Sequence, residues 1–261
     1  MARALRQAFP GAAVSALEPM AGGATDARVY RLVADGEAWV LRLDGAPDEH
    51  RDTARQFSCL AIAQAAGVAP AMIHADAAEG LSITRFVAQR PADPPLTREQ
   101  RLIAVARVVK RLHAAPLFPA RGDYLEAMDR IVSAFASAGV LSPDAGGALV
   151  DLWRGLYAAY PRGVTRVSSH NDVNPSNVLF DGARPWIVDW DAAMAADPMV
   201  DVASVVNWFA ADDAEADLVL DTYFDGPPDA GDRARFGLMR QINRLFYGVM
   251  LLNAEIGRAH V

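Results

Sequence analysis

Cysteine and lysine are almost missing from this 261-residue chain. Cys59 stands alone, which excludes an intrachain disulfide framework and any cysteine-based zinc site and makes a reducing cytoplasm the expected location. Lys110 is the only lysine among 25 basic side chains, and 32 acidic residues outweigh them to a net charge of −7. That balance argues against a nucleic-acid binder, because phosphate backbones recruit basic stripes. No apolar run approaches the roughly 20 residues that span a bilayer, so no membrane partner is expected. The longest candidate, Leu245 to Leu252, sits inside an amphipathic helix pattern. Arg3 and Arg6 are not followed by an apolar h-region, so no secretory signal is expected. The composition, 52% hydrophobic and 22% charged, is that of a chain able to bury a core. Its length suits one large domain or two closely packed lobes, and the sequence assigns no oligomeric state.

The pattern divides the chain. Ala27 to Val33 and Glu37 to Leu43 alternate apolar and polar residues around an Asp35-Gly36 turn, a hairpin signal. Asp48 to Ala66 has helical spacing and stops at Gly67; Ala71 to His74 and Leu81 to Phe86 read as strands. Val87 to Pro95, with three prolines, marks the boundary between lobes. Beyond it, Thr97 to His113 opens with a capping box. Further helices are expected over Asp123 to Ala138, Asp144 to Tyr160, Met199 to Ala210, Asp213 to Phe224 and Gly231 to Glu255. A β-like island at 164–169, 178–180 and 186–188 interrupts them. The expectation is an α+β, two-lobed plan: a β-rich N-terminal lobe over 1–87 and a mostly helical lobe over 88–255. The last six residues, 256–261, can be encoded by ATC GGA AGA GCA CAC GTC, the start of a common sequencing adapter. They are read as a non-native tail and carry no functional argument.

The chemistry concentrates in His170-Asn-Asp172-Val-Asn-Pro-Ser-Asn177, followed by a strand, an Asp181-Gly182 turn, a second strand and Val188-Asp189-Trp-Asp191. Protein kinases use this order of parts: a catalytic-loop Asp, an Asn for metal, a later Asp for metal. A loop between short strands can aim one carboxylate at an attacking hydroxyl, while the hairpin returns Asp189 beside Asn177, so that two hard oxygen ligands meet at one Mg²⁺.

These residues, with Asp197-Pro-Met-Val-Asp201, resemble the core of the aminoglycoside phosphotransferase/choline kinase family. The resemblance extends from Gly22-Gly23 to about Glu255 and is strongest between residues 168 and 210. It implies a protein-kinase-like fold, with a small β-rich nucleotide-binding lobe and a larger helical lobe that completes catalysis and holds the acceptor. The implied reaction is transfer from ATP, with Mg²⁺, to a hydroxyl of a small molecule. By motif match Asp172 would be the catalytic base, with His170 in the same loop. Asn177 and Asp189 would be the metal ligands, and His170 and Asp201 would brace the loop. Gly22, Gly23 and Thr25 resemble the family's phosphate loop, although two glycines before a strand also make an ordinary turn. Arg42 stands where protein kinases carry the phosphate-binding lysine, as in choline kinase-like members; a surface arginine on a strand is the alternative. Gln56 falls where the family has the helix glutamate that pairs with that basic residue. Either Gln56 hydrogen-bonds Arg42 without contributing charge, or Asp48, Glu49 or Asp52 replaces the ion pair, or the nucleotide pocket is weakened. His113 reads as a packed helix-end histidine.

The helix after Asp201 would border the acceptor. Trp208 and Asp212 there suit a cationic amino alcohol such as choline or ethanolamine, through cation–π attraction and charge. The same residues also suit a core tryptophan and a helix N-terminus. An aminoglycoside kinase and a nucleotide-binding pseudokinase are the competing expectations, the second motivated by Gln56.

Overall fold

The computed structural model describes residues 1–20, 27–48 and 51–259, with residues 253–259 described for their backbone. The chain opens with α1 (Ala2–Ala8) and β1 (Glu18–Pro19). The expected hairpin follows as β2 (Arg28–Ala34) and β3 (Glu37–Leu43), in register from Arg28 opposite Leu43 to Ala34 opposite Glu37. Asp35 and Gly36 both have positive φ, as a tight two-residue turn requires. Helix α2 (Thr53–Ala65) and strands β4 (Met72–Asp76) and β5 (Leu81–Arg85) complete the first third. The strands form one antiparallel sheet in the order β1-β2-β3-β5-β4. Ala4, Phe9, Leu32, Leu41, Leu81 and Ile83 make its core.

Helices α3 (Arg98–His113), α4 (Tyr124–Ser137), α5 (Pro143–Ala159), α6 (Met199–Phe209), α7 (Asp213–Phe224) and α8 (Ala230–Ala259) build the larger lobe. Its apolar faces merge into a second core that includes Val109, Leu112, Met128, Trp153, Val206, Leu220 and Ile242. Four short strands lie within it: β6 (Val167–Ser169), β7 (Val178–Asp181), β8 (Arg184–Ile187) and β9 (Met194–Ala196). Strand β6 pairs with β9, and β7 with β8 across the Asp181-Gly182 turn. The capping box at Thr97 is present, with Thr97 Oγ accepting from Gln100 N and the Gln100 side chain accepting from Thr97 N. Among the described residues no helix is long and apolar enough to cross a membrane.

Helix α2 starts five residues later than its periodicity suggests. Ahead of it Asp48 N donates to Arg51 O at 3.1 Å, and Asp52 caps the helix by accepting from Arg55 N. The buried face of α2 (Cys59, Leu60, Ala63) joins the larger core, not the sheet's. Its C-terminus is tied there too, since Ile187 N donates to Val68 O at 3.0 Å and Arg184 Nη2 to Gly67 O at 3.0 Å.

Candidate active site

Period-2 alternation on β3 buries Leu41 in the sheet core and sends Arg42 out of the opposite face. There the guanidinium meets three carboxylates. Nε donates to Asp44 Oδ1 at 2.7 Å, Nη1 to Asp189 Oδ1 at 2.8 Å, and Nη2 to Asp191 Oδ2 at 2.5 Å. Asp44 is held by a close backbone approach: its N–H donates to Gly80 O at 2.7 Å, and a Cβ at Gly80 would lie 1.7 Å from the Gly45 carbonyl oxygen. Gly80, at φ +58°, is therefore a position for glycine alone.

One cation facing three anions divides the electrostatic effects unequally. Burial disfavours the charged guanidinium, but Asp189, Asp191 and Asp44 overcome it and hold Arg42 even more firmly protonated than a free arginine. Asp191 bears the crowding. Its own burial, then the neighbouring Asp189 and Asp44 charges, outweigh the attraction of Arg42, and its carboxyl is pushed up to about 6.

The loop bearing Asp172 is shaped from below by Asp201, in the first turn of α6 and wholly buried. Asp201 accepts from His170 N at 2.8 Å and from Asn171 N at 2.7 Å, while Asn171 takes φ +64°. His113, at the end of α3, donates from Nε2 to Asp201 Oδ2 at 3.0 Å and sets Nδ1 2.8 Å from Tyr223 OH. Burial alone would raise the Asp201 carboxyl, but the His113 hydrogen bond and charge, with help from His170, hold it below the usual range. The His170 ring is also fully buried. It reaches Val188 O through Nε2 at 3.1 Å and packs edge-on against Trp190 at 4.7 Å between ring centres.

Asp172 itself is partly exposed and held by three donors. Oδ1 accepts from Asn174 Nδ2 at 2.9 Å and Tyr247 OH at 2.8 Å, and Oδ2 from Asn177 Nδ2 at 2.9 Å. Asn177 also donates to Asp172 O at 3.0 Å, which turns its amide oxygen away from Asp172. The β7–β8 hairpin returns the chain so that Val188 N donates to Asn177 O at 3.0 Å, leaving Asp189 beside Asn177 with φ +67°.

The structure thus gathers Arg42 and Gln56 around Asp189 and Asp191, and the hydrogen bond from Val188 N to Asn177 O ties this cluster to the loop that pairs Asp172 with Asn177. Gln56 is not on Arg42. Its Nε2 donates to Asp191 Oδ1 at 2.5 Å. Asp52 caps α2 and Asp48 lies against Arg51; among the described residues Asp44, Asp189 and Asp191 are the anions on Arg42. Gly22, Gly23, Thr25 and Glu49 lie outside the described residues. Trp208 is 39% exposed and packs edge-on against Tyr247 at 5.0 Å, so it is not a core tryptophan. Asp212 is an exposed N-cap of α7, accepting from Glu215 N at 2.9 Å.

Two contributors escape sequence inspection. Asp44 carries a faint signal, two residues after Arg42 and so on the same strand face; Tyr247, 75 residues from Asp172, carries none. Burial, with the Asp172 charge beside it, lifts the Tyr247 phenol well above its usual range, so it serves as a donor.

Comparison with known proteins agrees with this architecture. A crystal structure of a choline/ethanolamine kinase family protein from Mesorhizobium loti superposes with a TM-score of 0.74, at 24% identity, over 100% of this chain and 87% of that one. Choline kinase LicA from Streptococcus pneumoniae gives 0.69 at 15% identity, over 94% and 86%. Spectinomycin phosphotransferase in complex with ADP and spectinomycin gives 0.69 at 17% identity, over 96% and 87%. In sequence, LicA from Haemophilus influenzae is 33% identical over 54 residues, 21% of this chain, so the match spans about a fifth of that curated relative. The model of the phosphotransferase enzyme family matches residues 16–236, most of the chain. With a sheet lobe, a helical lobe and the loop and hairpin between them, this chain belongs to the phosphotransferase enzyme family.

Proposed function

We propose that the protein transfers the γ-phosphoryl group of ATP to the hydroxyl of a small cationic amino alcohol, of the choline or ethanolamine kind. The carrying observation is the setting of Asp172, a partly exposed carboxylate held by Asn174, Asn177 and Tyr247, with the Trp208–Tyr247 aromatic pair against it. In this mechanism Asp172 orients the acceptor hydroxyl and takes its proton. The acceptor oxygen forms the new P–O bond as the bond to the β-phosphate oxygen breaks and ADP departs. Arg42 steadies the phosphates from the β3 side. The residues offer little covalent chemistry, and the rate enhancement comes from positioning and charge.

A magnesium ion fits the donors present. Asn177 and Asp189 supply hard oxygens, and three carboxylates around one guanidinium leave the end of the cleft negative. Among the described residues no three acidic, histidine or cysteine side chains converge on a metal site. That suits Mg²⁺, which keeps waters and substrate phosphates in its shell and neutralises charge on the phosphates when bound. Asn177 and Asp189 are the residues that would hold it.

The acceptor choice rests on which charges remain free. Of the acidic run after α6, Asp212 caps α7, Glu215 pairs with Arg98 and Asp217 with Arg233. An aminoglycoside, with several ammonium groups, needs an acidic rim, and in this run Arg98 and Arg233 already take Glu215 and Asp217. One ammonium beside Trp208 and Tyr247 needs only aromatic faces, each such contact being worth about 0.5–2 kcal/mol. The pseudokinase alternative loses its motive, because Arg42 has its anions despite Gln56. The test is phosphoryl transfer from Mg-ATP to pooled choline, ethanolamine, thiamine, sugars and aminoglycosides, read by mass spectrometry. Phosphorylated amino alcohol is the expected product. A product confined to aminoglycosides overturns the acceptor class, and ATP binding without any product favours the pseudokinase.

A further inference from the structure

Position 56 carries an amide where a carboxylate would be the ordinary partner of a phosphate-binding cation, and the geometry gives the reason. Asp191 is shared: Oδ1 takes the Gln56 amide and Oδ2 takes Arg42, each at 2.5 Å. Helix α2 does more than deliver Gln56. Arg55 Nη2 donates to Asp191 O at 2.8 Å, Arg55 Nη1 donates to Ala193 O, and Cys59 Sγ lies 3.6 Å from the same Ala193 oxygen. With its apolar face in the larger core and its C-terminus tied to β8, α2 and the 191–193 segment form one unit. Arg42 arrives from the other core, on the sheet.

We propose that Asp191 and Gln56 act together as the counter-anion of Arg42, Asp191 supplying the charge and Gln56 turning that carboxylate toward the guanidinium. Both are positioning residues that act through Arg42, and the proposal rests on the reading above that Arg42 holds nucleotide phosphates. A carboxylate at position 56 removes the amide donor that now meets Asp191 Oδ1, so the two carboxylates either repel or take up a proton, and in both cases the Asp191 carboxylate is no longer turned toward Arg42 as it is now. Restoring the glutamate expected from the family pattern therefore damages the site, whereas exchanging amide and acid between the two positions preserves both hydrogen bonds. After that exchange the amide at position 191 donates to the carboxylate at position 56 and its oxygen accepts from Arg42.

The test is a cycle of Gln56→Glu, Asp191→Asn and the double exchange, with Gln56→Met as a neutral variant of similar length. Each is measured for Mg-ATP affinity by calorimetry and for thermal unfolding without ligand. Gln56→Glu is expected to weaken ATP binding by about tenfold or more, the scale of a lost hydrogen bond to a charged group. The double exchange recovers most of that loss, and Gln56→Met weakens binding several-fold with little change in unfolding temperature. Unchanged or tighter ATP binding by Gln56→Glu overturns the proposal, as does a double exchange no better than the worse single variant. If Gln56→Glu does not fold, Gln56→Met decides, and affinity within twofold of wild type overturns the proposal. If wild-type protein binds no ATP, the functional reading fails separately. The unfolding cycle then judges the pair: recovery in the double exchange supports it and additive losses overturn it.

Discussion

Asp172 is held at both oxygens, and Tyr247 is the donor that comes from farthest along the chain. The phenol sits against Trp208 and also lies 3.3 Å from Ser204 Oγ, so its position is fixed by packing as well as by the carboxylate. Tyr247→Phe keeps the ring and removes the hydroxyl. Losing one hydrogen bond to a charged group while the cleft stays wet costs about 1–2 kcal/mol, so kcat falls about 5- to 30-fold with little change in KM for ATP. Steady-state kinetics check this, and an unchanged kcat removes Tyr247 from the site. The Arg42 cluster shows how much residue-level chemistry was legible. Asp172, Asn177 and Asp189 stand out in the sequence by their spacing, and Arg42 and Gln56 by the family resemblance. Their partners do not, because which carboxylate meets which guanidinium depends on the packing of α2 against the 191–193 segment.

At the scale of elements, the loop is shaped by a chain running from Tyr223 through His113 to Asp201 and the backbone of residues 170–171. The pH consequence follows from the sign of the shift. Asp201 is depressed in the folded protein relative to about 3.9 in an unfolded chain. The stability it contributes is therefore fully present above about pH 5 and is lost as pH falls through the lower folded value. Asp201→Asn leaves buried donors without their anion and is expected to cost about 3 kcal/mol near neutral pH in urea unfolding. The gap from wild type narrows as pH drops below about 4; a gap that is constant with pH contradicts the assignment.

Elements with local signals were legible in sequence: the capping box at Thr97, the Asp123 cap of α4, and the turns at Asp35-Gly36 and Asp181-Gly182. Strand β9 was not. Its three residues, Met194–Ala196, are all buried and show no alternation, and they become a strand by pairing with Val167–Ser169. Helix α1 escaped for a related reason. Two arginines interrupt its seven residues, and Ala4, together with Phe9 just beyond it, finds a core only on the folded sheet.

For the whole molecule, the coupling of α2 to the larger core makes Cys59 a reporter of unfolding. The thiol is completely buried, and that burial, partly opposed by Arg55, pushes it up to about 11. Alkylation by iodoacetamide at pH 7.5 is expected to run at least about a hundredfold slower than for a free thiol, and to reach completion in urea across the main unfolding transition. Rapid native labelling would mean that α2 detaches on its own and that the Asp191 segment is not held as described. The two-lobed plan was legible because composition changes from strand-like to helical near the proline-rich segment. The allegiance of α2 was not, since its apolar spacing fits either core equally well.

Whether Asp172 takes the proton of an acceptor hydroxyl during phosphoryl transfer is read most directly by comparing wild type with Asp172→Ala. Both proteins would be given Mg-ATP and the acceptor that wild type phosphorylates, and product formation would be followed by mass spectrometry. A proton-accepting Asp172 requires kcat to fall about 10²- to 10⁴-fold, the usual contribution of a general base, while ATP affinity stays within a few-fold of wild type. Turnover by Asp172→Ala within threefold of wild type would contradict it.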